Sequence, residues 1–369
     1  MFILFLILFL GACGKLPNYE VNSAVFGFSV SGEINPKVDI LFVVDNSGSM
    51  SGNQSVLSAS MADFIDNFST KNLEFHIGVI STDQYCNPSV HSPVPNNSTC
   101  ASYWSTGAYS GLYNNRYGSL LSKTSGEKFL TWLSSNYIGK FEDNVLLGTS
   151  GSGSEMPILS ATTALEDPLL TGWNNGFFRS ESFLSIIMVT DEDESSTEGP
   201  QTKLYSGSNL TPMNNRIDAF VDAVKSIKGA SLPLFSVDVI ARSPSTSTCA
   251  GNADKAYGLD YMVQRINAQY PAAIGELDKA RFSSICTNFS SALQDIGASI
   301  VLSNARLSLT QAPANPAEIY VTNNGISVPN DTVNGWAYFA SENYIQFYGS
   351  EIPSVGDQIV VQYTPGEPI

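Results

Sequence analysis

Val38-Asp39-Ile40-Leu41-Phe42-Val43-Val44 runs directly into Asp45-Asn46-Ser47-Gly48-Ser49-Met50, and this junction decides the fold. The first seven residues are apolar on both alternating faces apart from Asp39. A strand apolar on both faces belongs in the middle of a parallel sheet with helices on either side. The chemistry then changes at once. A carboxylate is followed by two hydroxyls two residues apart, with Gly48 free to bend the backbone between them. Beyond it Val56, Leu57, Met61, Phe64, Ile65 and Phe68 recur mostly at three- and four-residue intervals, the period of a helix with one buried face.

The same alternation continues outward. Phe75, Ile77, Val79 and Ile80 mark a strand over 73–82. Phe183–Val189 reads as a third buried strand, ending in Thr190-Asp191-Glu192-Asp193-Glu194, and 232–240 as a fourth. Helical patterns occupy 129–138 and 155–165. Another runs through Ile217, Phe220, Val221, Val224 and Ile227 to a stop at Gly229. A last one from Thr287 carries Leu293, Ile296, Ile300 and Val301. Strand and helix in alternation predict an α/β domain over 31–304: a doubly wound, mostly parallel sheet flanked by helices. Loop insertions are expected at about 84–126, 195–212 and 241–258, where Ser, Asn, Gly and Tyr replace the apolar period.

After residue 305 no helical period survives. Short strand patterns at 319–321, 336–338, 344–347 and 358–361, with an Asn324-Gly325 hairpin turn, predict a small β-rich unit over 305–369. Residues 13–30 begin as a polar tether and then alternate at Ala24, Phe26, Phe28 and Val30. That first strand is expected to pair with the first or last strand of the β unit.

Only 14% of the 369 residues are charged, well below the usual quarter. Ser, Thr, Asn and Gly fill the surface instead, as suits an exported protein. Eighteen basic against 34 acidic residues give a net charge of −16 and leave no basic stripe. This argues against nucleic acid as a partner and against anionic lipid surfaces, and it favours attracting cations.

Residues 1–10 are almost wholly apolar, too short to span a bilayer, and are followed by Gly11-Ala12-Cys13. This resembles a bacterial lipoprotein signal with Leu10-Gly11-Ala12-Cys13 as its lipobox. The resemblance implies a cleaved signal peptide over 1–12, lipid on Cys13 and, from Gly14, sorting to the outer membrane. The expected location is a lipid-anchored position in the cell envelope, on its periplasmic or surface face. Cys86, Cys100, Cys249 and Cys286 remain. In an oxidising compartment an even set implies two disulfides, with three connectivities possible. Cys86–Cys100 and Cys249–Cys286 are expected, because each pair brackets a local excursion. No C-x-x-C spacing and only two histidines argue against zinc.

In doubly wound sheets ligands bind outside the carboxyl ends of the strands, near the topological switch point. Three oxygen-rich segments fall where a strand ends or a helix begins: Asp45-x-Ser47-x-Ser49, the loop Gly148-Thr149-Ser150-Gly151-Ser152-Gly153-Ser154, and Asp191. All offer hard oxygens, which suit Mg²⁺ first, with Mn²⁺ or Ca²⁺ also fitting. Ser and Asp also cap helices, but capping does not explain a second acid at the end of another buried strand.

Asp45-x-Ser47-x-Ser49 after a buried strand, with Asp191 after Ile186-Ile187-Met188-Val189-Thr190, resembles the metal-ion-dependent adhesion site of the von Willebrand factor type A domain. The resemblance covers roughly 38–303. It implies Ser47 and Ser49 as direct ligands, Asp45 and Asp191 as acids binding directly or through water, and Thr149 after Gly148 as a further hydroxyl. The stretch before the next helix is longer than the family's, so Ser152 or Glu155 could take the role of Thr149. The glycine usual after the second acid is Glu192 here. The acid run through Asp193 and Glu194 could deepen the cation site, or could be a solvated turn.

The function implied is recognition or adhesion. A bound divalent ion would bridge to a carboxylate of a protein or matrix partner, with the long loops setting specificity. The loop residues Tyr103, Trp104, Tyr109, Tyr113 and Tyr117 have the composition of adhesive surfaces. A structural role in an envelope assembly, using the same metal site, is the alternative. Catalysis has little support: H-E-x-x-H, P-loop and G-x-S-x-G motifs are absent, His76 sits in a strand pattern and His91 in a loop. The chain is therefore not expected to be an enzyme.

Overall fold

Val38, Ile40, Phe42 and Val44 pack to one side of their strand and Leu41 and Val43 to the other, and all six are fully buried. The structure is a computed structural model that describes residues 28–32, 37–71, 73–84, 117–121, 126–196, 202–229, 234–249, 253–272, 277–287 and 289–366. Its strands are β1 (Phe28–Gly32), β2 (Lys37–Val44), β3 (Glu74–Ser81), β4 (Leu130–Thr131), β5 (Phe183–Val189), β6 (Phe235–Ala241) and β7 (Ala280–Ser284), then β8 (Arg306–Ser308), β9 (Tyr320–Asn323), β10 (Ile326–Val328), β11 (Gly335–Phe339), β12 (Tyr344–Tyr348) and β13 (Ile359–Tyr363). Its α-helices are α1 (Ser51–Ala59), α2 (Met61–Ser69), α3 (Tyr137–Val145), α4 (Pro157–Ala164), α5 (Thr211–Lys228), α6 (Tyr257–Gln269) and α7 (Ser290–Asn304).

The main sheet has six strands in the order β4-β3-β2-β5-β6-β7. All neighbours are parallel except β4, which runs antiparallel to β3 at one edge. On the Phe42 face lie α1, α2, α3 and α7, through Leu57, Phe64, Phe68, Phe141, Leu293 and Ile300. On the Leu41 face lie α4, α5 and α6, through Ile158, Ala161, Phe220, Val224, Leu259 and Met262. From β2 the chain crosses to β3 on one side and later reaches β5 on the other. The switch point therefore lies between the carboxyl ends of β2 and β5.

Three expectations are corrected. The helix expected at 129–138 is the edge strand β4 and a turn, with α3 starting only at Tyr137. Thr131 closes that turn by accepting from Leu133 N at its hydroxyl and from Ser134 N at its carbonyl. Asn136, at φ +48°, then interrupts any helical path before Tyr137. The loop expected through 258 ends at Ala256, since α6 begins at Tyr257. α6 and β7 were not anticipated at all, although Leu259, Met262, Val263 and Ile266 carry a helical stripe.

The C-terminal residues form two small antiparallel sheets, β1-β13-β9-β10 and β11-β12-β8. Asn324 (φ 51°) and Gly325 (φ 80°) both take the left-handed conformation that a two-residue hairpin between β9 and β10 requires. β1 pairs with the last strand, Phe28 opposite Tyr363 and Gly32 opposite Ile359. Residues 24–27 of the expected first strand lie outside the described residues. The β unit shares its core with the sheet domain, since Val321, Trp336, Phe347 and Val361 belong to the same apolar cluster as Phe64, Phe68 and Ile300. Lys71 Nζ donates to Ile352 O at 2.7 Å, and Gln346 Nε2 donates to Leu302 O at 2.7 Å and Ala305 O at 3.0 Å. These contacts are made at the carboxyl ends of α2 and α7. They sit at the amino-terminal edge of the parallel strands, the pole opposite the switch point.

Cys249 and Cys286 form the expected disulfide, with Cα atoms 4.8 Å apart. Cys13, Cys86 and Cys100 lie outside the described residues. No helix among the described residues is long and apolar enough to cross a membrane.

Candidate functional site

β2 and β5 end side by side, and the residues that follow tie the two ends together. Asp45 N donates to Val189 O at 2.9 Å, and Thr190 Oγ1 donates to Asp45 Oδ2 at 2.7 Å. Ser47 N folds back to donate to Asp45 Oδ1 at 2.7 Å, a short-range turn of the kind Asp favours. Ser47 Oγ lies 3.1 Å from Ser49 Oγ, which donates to Asp191 Oδ1 at 3.0 Å. Asp45, Ser47, Ser49 and Asp191 therefore form one cluster of oxygens at the switch point. Asp45, Ser47 and Asp191 are buried while Gly48 and Ser49 are exposed, so the cluster opens to solvent on the Ser49 side.

Burial pushes the Asp45 carboxyl up to about 7. Hydrogen bonds from Thr190 and Ser47 oppose the rise, and the nearby Asp191 charge adds to it. Asp191 is likewise raised, first by burial and then, against the hydrogen bond from Ser49, by the Glu192 charge. Its Oδ2 atom is buried and accepts no hydrogen bond. An uncompensated buried carboxylate oxygen costs several kcal/mol. Elsewhere the fold offsets part of this cost with arginine. Asp39 pairs with Arg179 at 2.7 Å, Asp238 with Arg281 at 2.7 Å and Glu194 with Arg216. No basic side chain among the described residues does the same for Asp45 or Asp191.

The loop 146–154 is held against this cluster. Gln54, buried on α1, donates through Nε2 to Asp45 O at 2.8 Å and to Gly148 O at 2.9 Å, and accepts from Gly148 N at 3.1 Å. Gly151 N donates to Asn46 O at 2.8 Å. A Cβ at residue 151 would fall 2.3 Å from Asn46 Cγ, so any larger residue here would have to displace the Asn46 side chain. Thr149 lies exposed on the loop between these two anchors. Ser152 is buried, its Oγ accepting from Ser154 N at 3.0 Å. Sequence reasoning missed Gln54. The available signal was a polar residue within the stripe Met50, Leu57 and Met61, all buried with it.

The acid run after β5 is not a solvated turn. Asp193 and Glu194 are buried. Asp193 accepts from Gly258 N at 2.7 Å and Leu259 N at 3.1 Å at the start of α6. Glu194 accepts from Ile158 N at 2.8 Å and Leu159 N at 3.3 Å at the start of α4. Glu192 is bound by Lys203 at 2.5 Å. Asp193 is thus engaged with a helix terminus rather than with the oxygen cluster. Glu155 is fully buried beside Thr82, whose hydroxyl donates to it. Among the described residues no three His, Cys, Asp or Glu side chains converge closely enough to hold an ion by themselves. The hydroxyls of Ser47 and Ser49 are therefore integral to any cation site here. His76 lies near the amino end of β3, with Nδ1 2.9 Å from Phe177 O, and His91 is outside the described residues.

No protein-family model matches the chain, and no curated protein does. Among solved structures, the pilus adhesin SpaC from Lactobacillus rhamnosus GG in its open conformation is similar at TM-score 0.37 and 11% identity, over 91% of this chain and 40% of that one. A second SpaC structure is similar at TM-score 0.39, 12% identity, 91% and 41%. Proximal thread matrix protein 1 from the mussel byssus is similar at TM-score 0.34, 9% identity, 74% and 48%. The chain spans less than half the length of each of these proteins. Likeness at this level fixes neither family nor function.

Proposed function

We propose that this chain is a von Willebrand factor A-like binding protein of the cell envelope. It holds a divalent cation, Mg²⁺ first, among Asp45, Ser47, Ser49 and Asp191, and through that ion grips a carboxylate of a protein or matrix partner. The observation that carries this reading is the buried oxygen cluster at the switch point. Two acids sit there with no basic partner among the described residues, where Asp191 Oδ2 also finds no hydrogen bond. The donor set fits a hard cation, and the opening at Ser49 leaves a coordination position for an outside ligand. The strand order, with a single antiparallel edge strand and the Asp-x-Ser-x-Ser segment directly after the central strand, further supports a domain of this type. Thr149 reaches the ion in this reading from a loop fixed to the cluster by Gln54 and Gly151. Lipid on Cys13 would keep the domain at the membrane. Binding is preferred to catalysis because His76 is spent near the opposite end of the strands.

The test is a titration of Mg²⁺, Mn²⁺ and Ca²⁺ into the purified chain, following the unfolding temperature, with Asp45→Asn beside it. A ligand bound only by the folded state at a hundredfold excess over its Kd stabilises it by about 2.7 kcal/mol. Wild type should shift and Asp45→Asn should not. Capture of a partner from envelope extracts or matrix should then be lost on adding chelator. Equal behaviour of the two proteins in all three titrations would sink the metal-dependent reading.

A further inference from the structure

Glu155 lies close to the carboxyl end of the central strand, one residue's contact away. β2 sits between β3 and β5 in the sheet. The Glu155 side chain is anchored on the β3 side, where Oε2 accepts from Thr82 Oγ1, and Thr82 N in turn donates to Val44 O at 3.2 Å. Residue 155 also forms an antiparallel bridge with Asp83. On the β5 side Glu155 O accepts from Ser195 N at 2.6 Å. Ser195 lies six residues beyond the end of β5, so the Thr82 link, one hydrogen bond from Val44, is what sets Glu155 beside the strand end where Asp45 begins.

Glu155 is fully buried, and its Oε1 atom has no hydrogen-bond partner. Burial and then the charge of Asp45 hold its carboxyl well above the usual range, with Asp83 and Glu192 adding to the effect. Asp39, Asp238 and Glu194, also fully or almost fully buried, each face an arginine. Asp45, Asp191 and Glu155 share the opposite condition. They are three buried carboxylates around one place, and no basic side chain among the described residues pairs with any of them. The three do not converge to direct coordination of one point. A carboxylate set back by one water is an ordinary partner for Mg²⁺, which keeps several waters when protein-bound.

We propose that Glu155 is a third carboxylate of the cation site, acting on the ion across a bound water, and that it lets the chain hold its ion before any partner arrives. This rests on the cation reading above. It gives the threonine loop a lesser part: Thr149 is exposed and carries no charge, whereas Glu155 brings an ionisable carboxyl to a buried place.

The test uses the purified full chain without partner and compares wild type, Glu155→Gln, Thr149→Ala and Asp45→Asn. Mg²⁺ affinity is read by calorimetry and by the shift in unfolding temperature. Glu155→Gln should weaken Mg²⁺ roughly ten- to a hundredfold, the range for outer-shell partners of a metal. Thr149→Ala, which removes a neutral ligand rather than a carboxylate, should weaken Mg²⁺ too, but by less than Glu155→Gln. In chelator, Glu155→Gln should unfold at a higher temperature than wild type, because the isosteric amide removes the cost of burying a carboxyl that is ionised in the unfolded chain. A purely structural glutamate would give the reverse. If Asp45→Asn loses the ion while Glu155→Gln binds it like wild type, Glu155 has no part in the site and the cation reading survives. If wild type itself binds no ion, both readings fall together.

Discussion

Asp45 combines two demands that conflict without an ion. Its side chain closes the loop that aims Ser47 and Ser49, and its burial penalises the charge it would carry. The folded state holds its proton to about pH 7, whereas an exposed aspartate releases it near 3.8. A group whose folded pKa is raised binds protons more tightly when folded, so ionisation lowers stability as pH rises. The ion-free protein should therefore lose stability between about pH 4 and pH 7, by an amount on the order of 4 kcal/mol from this residue. Excess Mg²⁺ should remove that loss. Urea midpoints at pH 5 and pH 8, with chelator and with Mg²⁺, measure it. Asp45→Asn should flatten only part of the slope, because burial also raises Glu194 to about 7. Gly151 makes the same site vulnerable sterically. Gly151→Ala drives a methyl against Asn46 and should cost about 1–3 kcal/mol by overpacking, with weaker ion binding read in the same titration. Asp45, Ser47, Ser49 and Asp191 were legible in the sequence because each follows directly on a strand whose apolar run is unmistakable. Gln54 and Glu155 were harder to assign, because their roles depend on which strand ends they touch.

The helices that flank the site are started by the acids after β5. Asp193 caps α6 through two backbone N–H groups, and Glu194 does the same for α4 while pairing with Arg216. Their charges also suit the positive ends of the helix dipoles. Asp193→Ala should lower stability by about 1–2 kcal/mol, as loss of a cap does, while leaving cation affinity nearly unchanged. A large loss of affinity in that variant, at equal stability, would move Asp193 into the cation site. The run 191–194 read from sequence as a single acidic turn, because adjacent carboxylates look alike until each is matched to its own partner. Element boundaries failed for related reasons. β7 carries Phe282 as its only large apolar residue, so no alternation marked it. β4 is two residues long, too short for any period to register. β2, β5 and β6, with nearly every residue buried, were visible from hydrophobicity alone.

At the scale of the molecule, the C-terminal strands complete the face of α2 and α7 and contribute to the same core. A chain ending at Asn304 would leave Phe64, Phe68 and Ile300 without their cover and β1 without its partner strand. Such a truncation should expose enough apolar surface to bind a hydrophobic dye and aggregate, and the intact chain should unfold in one transition by both far- and near-ultraviolet circular dichroism. Two separate transitions would mean that the β unit folds on its own. The sequence signalled the change in pattern at 305 but not this dependence, since shared packing between distant segments leaves no local period. The pairing of β1 with β13 has a mechanical consequence. The chain enters the molecule at the pole opposite the oxygen cluster, and the eight residues of β2 set those poles about 25 Å apart. If the protein is fastened through residues upstream of β1 and pulled at the ion, tension runs lengthwise along the central strand. Its parallel neighbours β3 and β5 grip that strand in shear, so their hydrogen bonds would have to yield together rather than one at a time.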